Sequence, residues 1–328
     1  MRKRKQIFNL AYFGIILVLV LVILYSGLRI LESTVFSKAL EEGTSAHTKT
    51  ITRNGVDYFP RQDITVVLVL GIDQFGPMED SGSYNNKGAA DMVTLLIFDE
   101  QNQECRALCL NRDTMVEMPV LGIGGKQAGT IVGQLALSHT YGSGLEDSCE
   151  NTKKTVSSLL YGISIDHYVA INMEAITILN DMVGGVPVIV TDDFSQFDPS
   201  ITMGEVTLKG QQAIHFVRTR KGLGDQLNLS RMDRQKEYVD SFLEIFSTMV
   251  MDDTKFAMSA YDSIAPYMVT DCTGKVISSM MQRYADYTLV EMVSPEGENI
   301  RGEEYMEFYP DAQDLDELIL RLFYAPKK

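Results

Sequence analysis

Ile64-Thr-Val-Val-Leu-Val-Leu-Gly-Ile72 is a near-continuous β-branched run that closes on Asp73. A strand with one wet face alternates apolar and polar residues; this one does not, so it is expected to be buried on both faces. Met92-Val-Thr-Leu-Leu-Ile-Phe98 and Arg106-Ala-Leu-Cys-Leu110 read the same way, with Asp99 to Gln103 as the turn between them. Three central strands are expected.

Downstream the period changes. Gly122 to Ala128 reads as a glycine-rich loop, Thr130 to Tyr141 as a helix ending at Gly142, and Leu145 to Leu160 as a helix closed by Gly162. Ile165 to Asn172 reads as a strand, Met173 to Met182 as a helix stopped by Gly184-Gly185, and Val186 to Val190 as extended. Strands alternating with helices along one stretch indicate an α/β layered domain. Gly210 to Val217 reads as a short helix, Arg218 to Asn228 as a loop, and Ser230 as the cap of a longer helix reaching about Val250. On that helix Gln235 falls on the apolar face, with Arg231 at its edge.

Working outward to the N-terminus, Arg2, Lys3, Arg4 and Lys5 precede an uncharged apolar run from Gln6 to Leu28. A run of about 20 apolar residues spans the hydrocarbon layer as a helix, and basic residues on one flank hold that end in the cytoplasm. The run is longer than the apolar core of a signal peptide, and no small-x-small cleavage site follows. The expectation is a cell-membrane protein with one pass, divided into a cytoplasmic tail 1–5, a transmembrane helix 6–28, a stalk or linker 29–60 and an extracytoplasmic domain 61–328. Ser33 to Asp63 is polar and mixed, a stalk or a first short hairpin.

The 328 residues carry a formal net charge of -15, which argues against nucleic acid as a partner because that needs a basic field. The four cysteines, Cys105, Cys109, Cys149 and Cys272, lack paired C-x-x-C spacing and have no histidine partner at ligand distance in sequence, so a zinc site is not expected. One disulfide and buried free thiols remain the two readings. His167 and His215 read as structural residues.

Four places hold polar residues that an economical core would exclude. Asp73 follows the first strand and Asp91, in Gly88-Ala-Ala-Asp91, opens the second; if those ends adjoin they offer oxygen ligands to Mg²⁺. Asn111-Arg-Asp-Thr114 follows the third strand, and Arg112 with Asp113 forms either a structural ion pair or part of a phosphate fork. The fourth place is the richest, with Arg218, Arg220, Lys221, Asp225, Asn228, Arg231, Arg234 and Gln235 in one loop and helix start. Arg231 lies in a first helical turn, where free N–H groups favour an anion. Cationic side chains beside a pair of carboxylates suit a diphosphate, and no Ser-His-Asp arrangement, Walker loop or H-E-x-x-H is present.

These segments, in this order behind one N-terminal anchor, resemble the LytR-CpsA-Psr family. The resemblance is carried by Leu70-Gly-Ile-Asp73, Ala90-Asp-Met-Val-Thr-Leu95, Asn111-Arg-Asp-Thr114, Ser138 to Gly142, Asp166-His-Tyr-Val169, Asp181 to Val186, Leu208 to Ala213, Val217-Arg-Thr-Arg220 and Arg231-Met-Asp-Arg-Gln235. It implies an α-β-α sandwich with a largely antiparallel or mixed central sheet and a hydrophobic pocket for a polyprenyl chain. It also implies a Mg²⁺-dependent phosphotransferase that moves a glycopolymer, such as a teichoic acid or capsule, from a polyprenyl diphosphate carrier to peptidoglycan. Asp73 and Asp91 would then hold Mg²⁺. Arg112, Arg218, Arg220, Arg231 and Gln235 would hold the diphosphate, with Arg112, Asp113 and Arg220 at the chemistry and Asp113 orienting Arg112. The sequence departs from the family pattern at Ala89, where an arginine is usual, at Asn111 in place of proline, at Asn228 in place of aspartate and at Gln134 in place of a lysine-like residue. Those departures leave two other readings: a lipid-binding sensor or assembly factor that transfers nothing, and a hydrolase of the diphosphate.

Overall fold

The computed structural model describes residues 50–219 apart from 54 and, with gaps, residues 234–326. It opens with a hairpin of β1 (Ile51–Arg53) and β2 (Val56–Pro60), followed by β3 (Ile64–Ile72), β4 (Ala90–Asp99), β5 (Glu104–Leu110), β6 (Met115–Leu121) and β7 (Gln127–Gln134). After a 3-10 turn at Leu135–His139 come α1 (Glu146–Leu159), β8 (His167–Asn172), α2 (Met173–Met182), β9 (Val186–Val190), β10 (Gly204–Leu208) and α3 (Gln211–Arg218). Scattered helical residues between 234 and 249 lead to α4 (Phe256–Ile264), β11 (Met268–Thr270), β12 (Thr288–Val293), β13 (Gly297–Arg301), β14 (Met306–Pro310), α5 (Ala312–Phe323) and β15 (Tyr324–Pro326).

The central sheet has six strands in the order β11-β8-β3-β4-β5-β12 and is mixed. β3 runs antiparallel to β4 and parallel to β8, and β5 is parallel to β12. The sequence run that anchors it is buried as its pattern demands, with every residue from Val66 to Leu70 at most 3% exposed. Val66, Leu68, Leu70 and Ile72 pack with Cys149 and Val156 of α1 and Leu315, Ile319 and Phe323 of α5. Val67 and Val69 face the other way, into Leu96, Phe98, Cys109, Cys272 and Tyr284, where the Phe98 and Tyr284 rings stack at 4.2 Å. Alternate residues on opposite faces is the period of a strand, and covering both faces is what a layered α/β domain requires. A separate core joins α2 and α3 to the β9–β10 hairpin through Ile176, Leu179, Val188, Phe194 and Phe216.

One expectation is overturned. Thr130 to Tyr141 is not a helix: β7 occupies Gln127–Gln134, paired antiparallel with β6, and a 3-10 turn follows. The β-branched Thr130, Ile131 and Val132 fit a pleated ribbon better than a helix, and Pro119, which hides β6 from a sequence reading, is tolerated because this two-stranded ribbon is all edge. Of the two readings of Ser33 to Asp63, a stalk or a first short hairpin, residues 51–60 take the hairpin. Ile51–Pro60 form a hairpin whose second strand pairs with β15, so these residues belong to the folded domain.

The four cysteines are free and buried, which is the thiol reading and not the disulfide. Among the described residues no helix is long and apolar enough to cross a membrane; the run Gln6 to Leu28 lies outside them, as does the Ser230 cap.

Candidate active site

The end of β3 and the start of β4 are tied by one carbonyl. The backbone N–H groups of Asp73 and Asp91 donate to the oxygen of Ala89, at 3.0 and 3.1 Å. In the β3–β4 ladder Gly71 faces Met92 while Ile72 faces Ala90, so Asp91 is the extra residue of a β-bulge. Bulges re-aim side chains beside functional sites, and this one turns Asp91 toward the next strand. There Val93 faces Leu110, and the same register continued places Arg112 opposite Asp91. Arg112 Nη1 pairs with Asp91 Oδ1, and Arg112 Nε lies 3.6 Å from Asp113 Oδ1. The guanidinium therefore sits between two carboxylates, with Asp91 the nearer. It remains 33% exposed, against 20% for Asp91 and 27% for Asp113, so a ligand from solvent reaches all three.

The backbone around Arg112 is fixed on both sides. Asn111 Oδ1 accepts from the Asp113 N–H at 3.0 Å and its carbonyl accepts from Thr114 N and Oγ1, an Asx turn that supplies the bend expected of the usual proline. Arg112 O accepts from Ala136 N at 3.0 Å, and Asp113 O accepts from Phe308 N at 2.8 Å. Gln134, at the end of β7, donates through Nε2 to Asp113 Oδ1 at 2.7 Å and to Met306 O at 2.8 Å. Its amide thus links the Asp113 carboxylate to the β13–β14 hairpin without adding charge.

The loop before Asp91 is held as firmly. Asn86 donates to His139 O, Gly142 O and Ser148 Oγ while its Oδ1 takes the Gly88 N–H at 2.7 Å. The Gly88 carbonyl accepts from His139 Nδ1 at 2.7 Å, which sets that ring's tautomer. Burial pushes the fully enclosed His139 down to about 4, so it stays neutral. A side chain at Gly88 does not fit, since its Cβ would lie 2.9 Å from both Gln74 Oε1 and Ile72 Cγ2. On the other side Asn172, 1% exposed, ends β8, caps α2 by accepting from Glu174 N, and donates to Gly76 O just past Asp73.

The backbones of Asp73 and Asp91 are thus brought together, and the side chains of Asp91, Arg112 and Asp113 meet beside them. The side chains of Arg218, Arg220, Arg231 and Gln235 lie outside the described residues. Arg234, counted with that basic group in the sequence, is 3% exposed. It pairs with Asp192, donates to the carbonyls of Phe216 at 3.1 Å and Thr219 at 2.8 Å, and lies over the rings of Phe194 and Phe216. It is a buried clamp on the backbone either side of Arg218, a role its neighbours in sequence did not reveal. Asn86 and His139 also escaped assignment, their signal being a polar residue in a turn, too common to single out, and Gln134, noted in the sequence only as a departure from the family pattern, gains its role from its contacts with Asp113 and Met306.

The three carboxylates and one guanidinium carry two net negative charges. With oxygen donors only, Asp73 and Asp91 fit a hard divalent cation of the Mg²⁺ type, which takes one or two carboxylates and leaves its remaining positions to phosphate and water.

The sequence profile of the LytR_cpsA_psr family matches residues 31–322. The chain belongs to that family. It is similar to a polyisoprenyl-teichoic acid–peptidoglycan teichoic acid transferase, TagU, of Oceanobacillus iheyensis, 27% identical over 92% of this chain and 89% of the relative. The TagU of Enterococcus faecalis is 29% identical over 74% of this chain and 72% of its own. In fold, the domain is similar to the crystal structure of Bacillus subtilis TagV, with a TM-score of 0.55 at 23% identity, covering 80% of this chain and 96% of that one. The mixed α/β architecture is therefore that of the LytR_cpsA_psr proteins.

Proposed function

We propose that this protein transfers an anionic glycopolymer from a polyprenyl diphosphate carrier to peptidoglycan, as a phosphotransferase outside the cytoplasm. The single observation that carries the reading is Arg112, past the end of β5, held open to solvent between Asp113 and the bulged Asp91 of β4, in a chain of this family. A guanidinium fork fixed by carboxylates is preorganised for a phosphate oxygen and costs no reorganisation when charge develops there. Arg112 would take the phosphoryl group at the point of attack, with Asp113 and Gln134 keeping its fork in plane. Arg218, Arg220, Arg231 and Gln235 would complete the diphosphate cradle, and the Arg234 clamp holds the backbone flanking the first of them. Asp73 and Asp91 would hold Mg²⁺, which when bound supplies charge neutralisation for the leaving diphosphate. The basic and apolar N-terminal residues support an anchor at 6–28 that keeps the domain beside its lipid-borne donor.

Full-length protein in detergent, given labelled polyprenyl-diphosphate glycan and peptidoglycan fragments, should yield a covalent conjugate. Donor bound without conjugate would mean the lipid-binding reading, which Ala89 favours by removing one expected phosphate ligand. Phosphate released with no acceptor present would mean the hydrolase.

A further inference from the structure

At the far end of the central sheet from Asp73, the antiparallel pairing of β11 with β8 runs Met268 to Ile171, Val269 to Ala170 and Thr270 to Val169. Continued by two residues, the same register sets Asp271 against Tyr168 and Cys272 against His167. The side chains follow: Tyr168 N donates to Asp271 Oδ1 at 3.0 Å, His167 Nδ1 lies 3.5 Å from that oxygen, and Cys272 Sγ lies 3.5 Å from it. Ligand atoms of His167, Asp271 and Cys272 all fall within 4.8 Å of one another, the one such group among the described residues. No local spacing announces it, because β8 and the residues after β11 are separated in sequence by the whole α2–α4 region.

We infer that His167, Asp271 and Cys272 form a zinc-type site, distinct from the oxygen-lined pair at Asp73 and Asp91, that staples the short edge strand β11 to β8. Three observations carry it. The donor set of one imidazole, one carboxylate and one thiol suits a borderline-soft divalent ion and not Mg²⁺. The two separations of 3.5 Å from Asp271 Oδ1 match the edges of a tetrahedron with metal bonds of about 2.0 to 2.3 Å, which are about 3.3 to 3.8 Å. The surroundings already hold the ligands: the Tyr168 N–H orients Asp271, and the Cys272 N–H donates to Thr270 Oγ1 at 3.1 Å while that hydroxyl donates to Tyr168 O at 2.7 Å.

Charge balances as well. A Zn²⁺ ion bound to one neutral imidazole, one carboxylate and one thiolate makes a neutral unit. Lys153, 3.7 Å from Asp271 Oδ2 and equally near Glu150, addresses the other carboxylate oxygen and stays paired. Cys272 is buried, so the fourth position is left for water on the side of Asp271 and His167.

The test is Co²⁺ titration of the full-length, reduced and chelator-treated protein, in excess Mg²⁺ to saturate the oxygen site. One equivalent should bind with a thiolate-to-cobalt charge-transfer band in the near ultraviolet, and Zn²⁺ should displace it. The band should vanish in Cys272→Ser, weaken at least tenfold in affinity in His167→Ala, and persist in Asp91→Asn, with circular dichroism confirming that each variant is folded. Absence of the band in the unmodified protein, or its persistence in folded Cys272→Ser, would overturn the site and leave an ordinary His167–Asp271 ion pair. Because the readout does not involve transfer, it stands or falls separately from the proposed activity.

Discussion

Asp91, the bulged residue of β4, holds one terminal nitrogen of Arg112, which lies opposite it beyond the end of β5. The pair has a direct consequence. Arg112→Ala should reduce conjugate formation by at least about a hundredfold, the scale of losing one preorganised donor. Arg112→Lys should recover little, because a point charge cannot reproduce the fork. Turnover of the labelled donor measures both, and wild-type melting behaviour should be kept by both.

Gln134 gives a finer test. Gln134→Leu removes two hydrogen bonds and leaves Asp113 Oδ1 and Met306 O short of a donor, a cost of about 1 to 3 kcal/mol. Gln134→Glu sets a second carboxylate against Asp113 and should lose more activity than the leucine variant despite its closer shape. Comparing kcat with thermal midpoint for the two variants separates loss of alignment from loss of stability.

His139 makes a pH prediction. Its pKa is lowered from 6.5 to about 4 by burial, so between those values the unfolded chain binds a proton that the folded chain does not. Stability is then fully present above about 6.5 and falls as pH drops toward 4, by about 3 kcal/mol from this residue alone. Chemical denaturation across that range should show the slope, and a His139 variant that keeps a donor to the Gly88 carbonyl, such as His139→Asn, should flatten it.

Arg234 and Asp192 are a buried pair. Arg234→Ala leaves a carboxylate and two carbonyls facing an apolar hole and should cost about 3 to 5 kcal/mol. Arg234→Met with Asp192→Leu should recover much of that stability, as an apolar replacement of both partners often does. Donor affinity should not recover with it, since the carbonyls of Phe216 and Thr219 flanking Arg218 still lack their donor. Donor binding measured beside denaturant midpoints distinguishes the two effects.

The central strands were legible because Ile64–Ile72 and Ala90–Asp99 carry their burial in their composition, and the helices Met173–Met182 and Glu146–Leu159 in their spacing. Asp73, Asp91 and Arg112 were legible as polar residues at the ends of those strands. The β6–β7 ribbon was not, because Pro119 and the glycines at 129 and 133 break the pattern that its pairing restores. The bulge at Asp91 and the Gln134 link to Met306 depend on register and on partners far along the chain, which no local window contains. Arg234 looked like one more member of a basic loop, and only Asp192, in another segment, makes it a core residue.

The ribbon β1-β2-β15 places the earliest and latest described segments side by side. A pairing between segments so far apart along the chain closes the ribbon only when both are present, so removing Tyr324–Pro326 would leave β2 with an open hydrogen-bonding edge.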